Sequence, residues 1–396
     1  MLRRTFAALC ACALLAGAPA TAHAIGGATL RAKLAAAQST LGYAVGGYVR
    51  DLTTGATLYE RNPDRPLSPA SNDKLLTTAT ALIRLGPDAT FRTSLVAAAD
   101  PTPSGAIDGD VTLVGGGDPY LTEKDLDDIA AQVAAVGVTR IRGRVIADAS
   151  MLDDKVGSYD SGYAYDDDLG GRLSALQVRN GAGEDPPMHV ARLLHKALKA
   201  HGIRLAGLPR PGVAPTGGVE IGFVDSMPLS SIVASINVPS DNYAAELLLK
   251  DLGARFGGAG TTAAGAAVVG QTMATLGIHP TIVDGSGLSR ADRLTARQTV
   301  RLLTVVRGLP SGPALAASLP VAGRSGTLKD RLRNAPARGR CEAKTGTLRD
   351  VSSISGYCAT TRNHTIVFSF LANGVCSGCA KRVESRMVTA IARYTD

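Results

Sequence analysis

At 396 residues and 40.6 kDa the chain is long enough for two or three domains, and 45% apolar against 19% charged residues excludes disorder over most of it. Trp is absent and aromatics total 4%, too few rings to build a stacking platform for single-stranded nucleic acid. The net charge of +8 has no long Lys/Arg run behind it, which reads as a solvated basic surface and not a nucleic-acid patch.

Arg3 and Arg4 precede an apolar run over residues 6–16, and small residues then lead to Ala22-His23-Ala24. A charged n-region, a short h-region and an A-x-A site predict an export signal over residues 1–24, removed after Ala24. The run is too short for a spanning helix, and no later segment reaches 18 uninterrupted apolar residues. Arg3-Arg4 followed by Phe6 also fits a twin-arginine route. A periplasmic or cell-wall-associated location is therefore expected. Cys10 and Cys12 leave with the leader, and Cys341, Cys358, Cys376 and Cys379 remain. In an oxidising compartment four thiols suggest two disulfides, with three possible connectivities. A single C-x-x-C pair makes zinc the weaker reading.

In chain order, residues 29–38 read as a short amphipathic helix, and YAVGGYVRDL and ATLYERN as two strands around Thr53-Thr54-Gly55. A helix is predicted from Ser71 to Leu85, stopped by Gly86-Pro87. From about Phe91 the texture turns to Gly-rich strand and loop, with an aperiodic acidic loop from Tyr159 to Gly171. A helix follows from about Met188 to His201, then a Pro/Gly-rich stretch over 207–218. Helical texture returns near Leu229 and dominates to about Leu309. The end reads as three strands, RCEAKTGT, SSISGYCATT and HTIVFSFLANG, and a final helix from about Ala380.

No H-E-x-x-H, G-x-S-x-G or P-loop is present, and the six His residues are scattered, so neither metal nor cofactor is implied. Ser71-Asn72-Asp73-Lys74 is the one S-x-x-K. Residues three apart share a helical face, so the Lys74 amine can reach the Ser71 hydroxyl. A serine needs a base to become a nucleophile, and a lysine serves once burial or a second cation disfavours its charge. Ser240-Asp241-Asn242 stands immediately before a predicted helix, a better presentation than the competing Ser235-Ile236-Asn237. Lys344-Thr345-Gly346-Thr347 falls on a predicted strand, where Gly346 allows a substrate backbone close approach. Each motif alone could be a helix cap or a strand end; three in this order are far more specific.

Together with LVGGGDPYLT, VDGSGLSRADRLTA and LPVAGRSGTLKDRL, these motifs resemble the low-molecular-mass class C penicillin-binding proteins, the D-alanyl-D-alanine carboxypeptidase/endopeptidases of peptidase family S13, over about residues 30–394. The resemblance implies an α/β (α+β) transpeptidase-like domain, an antiparallel sheet flanked by helices, over residues 25–90 and 227–396. An inserted, strand-rich accessory region would occupy 91–226. It implies Ser71 as nucleophile, Lys74 as proton acceptor, Ser240 as proton relay and Asn242 as a partner of Lys74 and the substrate amide. Lys344 would face the terminal carboxylate beside Thr345, and Ser71 and Thr347 N–H groups would form the oxyanion hole, with Gly346 between. Peptidoglycan stem peptides and β-lactams are the implied partners, with a β-lactamase-like hydrolase or a non-catalytic murein binder as alternatives. In the family the insert continues after a segment like LSALQVRN; here it is shortened. If the Lys344 strand turns near Arg349-Asp350, Cys341 and Cys358 fall opposite one another, leaving Cys376 to pair with Cys379.

Overall fold

The computed structural model describes residues 24–396, so the expected leader with Cys10 and Cys12 lies outside the described residues. The chain begins with α1 (Gly27–Ser39), β1 (Val45–Asp51) and β2 (Thr57–Arg61), then a 3-10 turn (Ala70–Asp73) running into α2 (Lys74–Leu85). A second stretch holds β3 (Arg92–Ala97), β4 (Ala106–Ile107), β5 (Val111–Val114), α3 (Glu123–Ala135), β6 (Arg140–Ile141) and β7 (Val145–Asp148). It continues with α4 (Pro186–Ala200), β8 (Arg204–Leu205), β9 (Arg210–Pro211) and β10 (Val219–Asp225). The rest is α5 (Leu229–Asn237), α6 (Asn242–Phe256), α7 (Thr262–Thr275), α8 (Ala296–Arg307), α9 (Gly312–Ala317), β11 (Cys341–Leu348), β12 (Val351–Ala359), β13 (Thr365–Asn373) and α10 (Ser377–Ile391).

The principal sheet runs β11-β12-β13-β1-β2 and is antiparallel throughout. Alternation along β13 decides what each face meets. Phe368 and Phe370 pack with Leu30 and Leu34 of α1 and Met387 and Ile391 of α10, while Val367 joins Leu75, Leu82 and Leu303 of α2 and α8. Each fully buried Leu or Phe of this kind contributes about 1.5–3 kcal/mol. One face is thus closed by the two terminal helices and the other by the central ones. The same alternation turns Ala343 toward the terminal helices and Lys344 toward α2.

Residues 92–225 form their own five-stranded sheet, β10-β3-β5-β7-β9, and a short three-stranded one, β4-β6-β8. Leu95, Leu113 and Val145 meet Ile129 and Leu194 in a core separate from the principal one. Thr122 and Asp125 cap α3 reciprocally, and Asp185 caps α4 ahead of two prolines.

The strand register pairs Cys341 with Cys358, and the model closes Cys341–Cys358 and Cys376–Cys379. Two expectations, at the Ser71 helix and at the last helix, need correction. The helix expected from Ser71 opens as a 3-10 turn because Ala70 takes φ +46°, outside the α-helical region, and the α-helix starts only at Lys74. The helical texture expected to dominate from Leu229 to about Leu309 is α5 to α8, with α7 and α8 separated by the loop carrying Asp284-Gly285-Ser286-Gly287, whose glycines and capping carboxylate favour a turn. The last helix begins at Ser377, three residues early, because Cys376 takes the N-cap position and its sulfur accepts from the Cys379 N–H.

Candidate active site

The nucleophile turn is fixed from below. Ser353 of β12 donates to the Pro69 carbonyl at 2.6 Å, and the Asn72 amide donates to the Ser353 hydroxyl. A Cβ on Gly346 would stand 2.3 Å from Ser353 Oγ, 2.7 Å from Pro69 O and 2.9 Å from Ser71 N. The glycine of the Lys344 strand therefore serves close approach of the nucleophile turn, not only of a substrate backbone. Ala70 and Ser240 both hold positive φ, +46° and +69°, and a non-glycine residue kept there costs of order 1–3 kcal/mol. One strained residue immediately precedes Ser71, and the other is Ser240 itself.

Lys74 is fully buried, and its Nζ lies 3.2 Å from Ser71 Oγ, 2.7 Å from Asn242 Oδ1 and 2.6 Å from the Ser286 carbonyl. A neutral amine has two N–H donors and one lone pair. Two acceptors, Asn242 and Ser286, take the donors and leave the lone pair for the Ser71 hydroxyl. Burial lowers the Lys74 pKa to about 8, opposed by the carboxylates of Asp284, Glu246, Asp241 and Asp73. Near neutral pH the base is thus only a small step from its working state.

The Ser286 carbonyl is held in place by buried acids. Glu246 accepts from the Gly285 and Ser286 N–H groups at 2.9 and 2.8 Å, and Asp284 accepts from Gly287 and Ser289 at 2.7 Å each. Asp73, Asp284 and Asp292 bring carboxylate oxygens within 4.8 Å of one another, all buried. Burial and the neighbouring acids raise Asp73 well above the carboxylate range and Asp292 to about 11. Both Asp73 oxygens and Asp292 Oδ2 are buried without a hydrogen-bond partner.

Asp241 caps α6 by accepting from Ala244 N, which leaves Ser240 before the helix and Asn242 in its first turn. The competing Asn237 is buried and donates to Thr78 and Ser318, a packing role. Lys344 is also fully buried; its Nζ donates to Ser240 Oγ and to the Thr345 carbonyl, each at 2.9 Å. Burial, then the Lys74 amine, depress its pKa well below the usual lysine range. Thr345 Oγ1 lies 2.7 Å from Thr327 Oγ1, and Thr347 is exposed. β11 is an edge strand, and residues 320–322 cover its outer side only at Cys341–Ala343. From Lys344 to Thr347 the edge is open. Of the eight residues expected at the site, the Lys74 amine joins Ser71 to Asn242, the Lys344 amine reaches Ser240, and Gly346 packs on the Ser71 turn, with Thr345 and Thr347 beside it on β11.

Sequence reasoning missed Ser286, Glu246 and the loop over residues 157–171. The Asn242 amide donates to the Asp168 carbonyl at 2.9 Å, and Asp160 accepts from Ser289 Oγ at 2.6 Å and Arg290 N at 3.2 Å. Nothing in the aperiodic acidic text of that loop signals such contacts. The Asp-Gly-Ser-Gly run does carry a turn signal for the Ser286 loop.

The description "D-Ala-D-Ala carboxypeptidase 3 (S13) family" matches residues 29–171 and 173–394. A D-alanyl-D-alanine carboxypeptidase of Actinomadura sp. (strain R39) is 31% identical across 88% of this chain and 81% of its own length. A carboxypeptidase of Mycobacterium tuberculosis is 30% identical across 88% and 80%. Penicillin binding protein 4 of Haemophilus influenzae superposes with a TM-score of 0.79 at 18% identity, covering 91% of this chain and 99% of that one. A predatory endopeptidase of Bdellovibrio bacteriovorus, solved acylated by penicillin G, gives 0.56 at 18% identity over 88% and 92%. With three ordered motifs meeting in one cleft and the match spanning nearly all described residues, the chain belongs to the D-Ala-D-Ala carboxypeptidase 3 (S13) family of penicillin-binding serine DD-peptidases.

Proposed function

We propose that this enzyme is exported and hydrolyses the D-Ala-D-Ala ends and the D-Ala cross-links of peptidoglycan stem peptides through an ester on Ser71. The observation that carries the reading is the Lys74 amine, placed 3.2 Å from Ser71 Oγ with its two donors occupied by Asn242 and Ser286. Ser71 Oγ attacks the carbonyl carbon of the penultimate D-Ala, and its proton passes to Lys74. The oxyanion sits between the Ser71 and Thr347 N–H groups, an arrangement worth about 3–4 kcal/mol per donor. The intermediate collapses as Lys74 returns the proton through Ser240 to the leaving amine. Water then attacks the ester carbonyl as Lys74 takes its proton, and Lys74 passes that proton to Ser71 Oγ as the C–O bond breaks, which frees the acid product and restores the Ser71 hydroxyl and the neutral amine.

The open edge of β11 receives the substrate backbone as an added strand. Lys344 and the Thr345 hydroxyl receive the terminal carboxylate. A carboxylate brought against this buried amine favours its charged form, opposing the burial that depresses it. Residues 91–226 act as an inserted unit that steers stem peptides toward the cleft and leaves the chemistry to Ser71 and Lys74. Incubation with labelled penicillin followed by intact-mass measurement tests the reading. A stable adduct on Ser71 supports it, rapid turnover points to a β-lactamase, and no adduct to a non-catalytic murein binder.

A further inference from the structure

Behind the principal sheet, on the face away from Ser71, α1 and α10 enclose a groove of about 710 Å³ with the loop over residues 332–335 as its third wall. Each helix offers it one regular face. Lys33, Ala36, Ala37 and Thr40 recur at i, i+3, i+4 and i+7 on α1, and Arg386, Thr389, Ala390 and Arg393 do so along and just beyond α10. Alanines give the groove a low floor, and cations stand along its sides.

The charge is one-sided. Lys33, Arg333, Arg386 and Arg393 all line it, and no Asp or Glu does. Among the described residues none of the four has a carboxylate within ion-pair distance, whereas Arg331 beside them is paired with Glu384 at 2.8 Å. Arg393 Nε is sealed from water and has no acceptor. The Thr40 and Thr389 hydroxyls already donate to backbone carbonyls, so what they offer a ligand is lone pairs for sugar or polyol hydroxyls.

We propose that this groove is a binding site for an anionic polyol-phosphate or sugar-phosphate polymer of the cell envelope. Such a chain has phosphates for the four cations and hydroxyls for the threonines, and it is slender enough to lie over alanines. A bilayer surface fits less well: among the described residues no exposed large hydrophobic side chain lies on α1 or α10 to enter it. Because the cleft opens on the other side of the sheet, a polymer held here keeps the peptidase in place while the β11 edge stays free.

The test is calorimetric titration of the full enzyme with poly(glycerol phosphate) at low and high salt. The triple variant Lys33→Gln/Arg386→Gln/Arg393→Gln is compared with Arg192→Gln/Lys196→Gln/Lys199→Gln, which removes three exposed cations from α4. The groove variant should bind at least about tenfold more weakly and show a smaller salt dependence, while the α4 variant binds like the parent. Penicillin acylation should be unchanged in both, which also verifies their folding. The single exposed change Arg386→Gln should shift affinity in the same direction by less. Equal losses in the two triple variants, no loss in the groove variant, or preference for phosphatidylglycerol vesicles over the polymer would overturn the proposal.

Discussion

On the Ser71 side of the cleft the working amine is sealed from water and every one of its hydrogen-bonding positions is taken, whereas across the cleft β11 leaves half of its outer edge unpaired. The first wall is a knot of buried polar groups from four stretches of chain: the 3-10 turn, α2, the first turns of α6 and the loop over residues 284–289. The second is a single strand held by backbone pairing to β12. The difference teaches how the labour is divided. Proton transfer needs a base whose pKa is tuned and whose position is fixed, which burial and a closed hydrogen-bond set supply together. Recognition of a peptide needs unsatisfied backbone groups and one charge, which a strand edge supplies with little apparatus.

The comparison breaks first if Ser71 is removed. Ser71→Ala deletes one oxygen from a turn whose shape depends on Pro69, Asn72 and Ser353, so the fold should persist while penicillin acylation vanishes. Intact-mass measurement decides it; an adduct in the variant would transfer the nucleophile elsewhere. Next comes pH. Lys74 accepts a proton only when neutral, so with its pKa near 8 the acylation rate should climb about tenfold per pH unit toward 8 and level off above it. Glu246, itself pushed up to about 8 by burial and by Asp284, raises the Lys74 pKa in its charged form. Glu246→Gln keeps an oxygen for the Gly285 and Ser286 N–H groups, and should move the inflection to lower pH. An inflection that stays in place would detach Glu246 from the base.

The strand wall responds differently. Lys344→Ala should weaken peptides ending in D-Ala-D-Ala more than their amidated analogues, because the proposed partner is the terminal carboxylate. A charge-assisted hydrogen bond of about 1.5–3 kcal/mol sets the scale for that selective loss in kcat/KM. Equal loss with both substrates would show that Lys344 acts on Ser240 and not on the carboxylate.

The two walls also differ in how far the sequence reveals them. The strand wall is local: alternation, a turn at Arg349-Asp350 and two cysteines suffice to place Cys341 opposite Cys358, and a register error of one would have separated them. The nucleophile wall is not. Ser71, Lys74, Ser240 and Asn242 are legible as motifs, yet Ser286 contributes a carbonyl, which every residue carries, and Glu246 sits within an apolar helix as an unremarkable acid. The 3-10 opening of the nucleophile helix depends on Ala70 in a conformation that alanine rarely takes, imposed by neighbours far away in sequence. Contacts of the acidic loop with α6 and with Ser289 are tertiary, and no periodicity encodes them.

The disulfides sharpen the comparison through stability. Cys341–Cys358 closes a separation of 17 residues and ties β11 to β12, which the chain-entropy account values at about 3 kcal/mol; Cys376–Cys379 closes only 3. Cys341→Ser/Cys358→Ser should lower Tm by several degrees and slow acylation. Cys376→Ser/Cys379→Ser should do little to either. Equal shifts in a thermal melt would mean that the strand wall does not depend on its bridge.

The smallest effect is expected where the second stretch of chain meets the nucleophile wall. Asp160 is exposed, yet it accepts from Ser289 Oγ and Arg290 N, and so joins the loop over residues 157–171 to the loop that places Ser286. Asp160→Ala removes both bonds but leaves Asn242 donating to the Asp168 carbonyl and Tyr243 to the Arg172 carbonyl, so the loop stays attached at two other points. An exposed pair of hydrogen bonds contributes on the order of 1 kcal/mol, which corresponds to about fivefold. Penicillin is small, and if the loop acts only on longer substrates its acylation should change by less than that. A cross-linked muropeptide reaches past the cleft toward the loop, and its kcat/KM should bear the whole fivefold. Measuring both substrates on one preparation separates the outcomes. A matched fall in the two would show that Asp160 works by holding the Ser286 carbonyl on Lys74, which would make the loop part of the nucleophile wall and not a guide beside it.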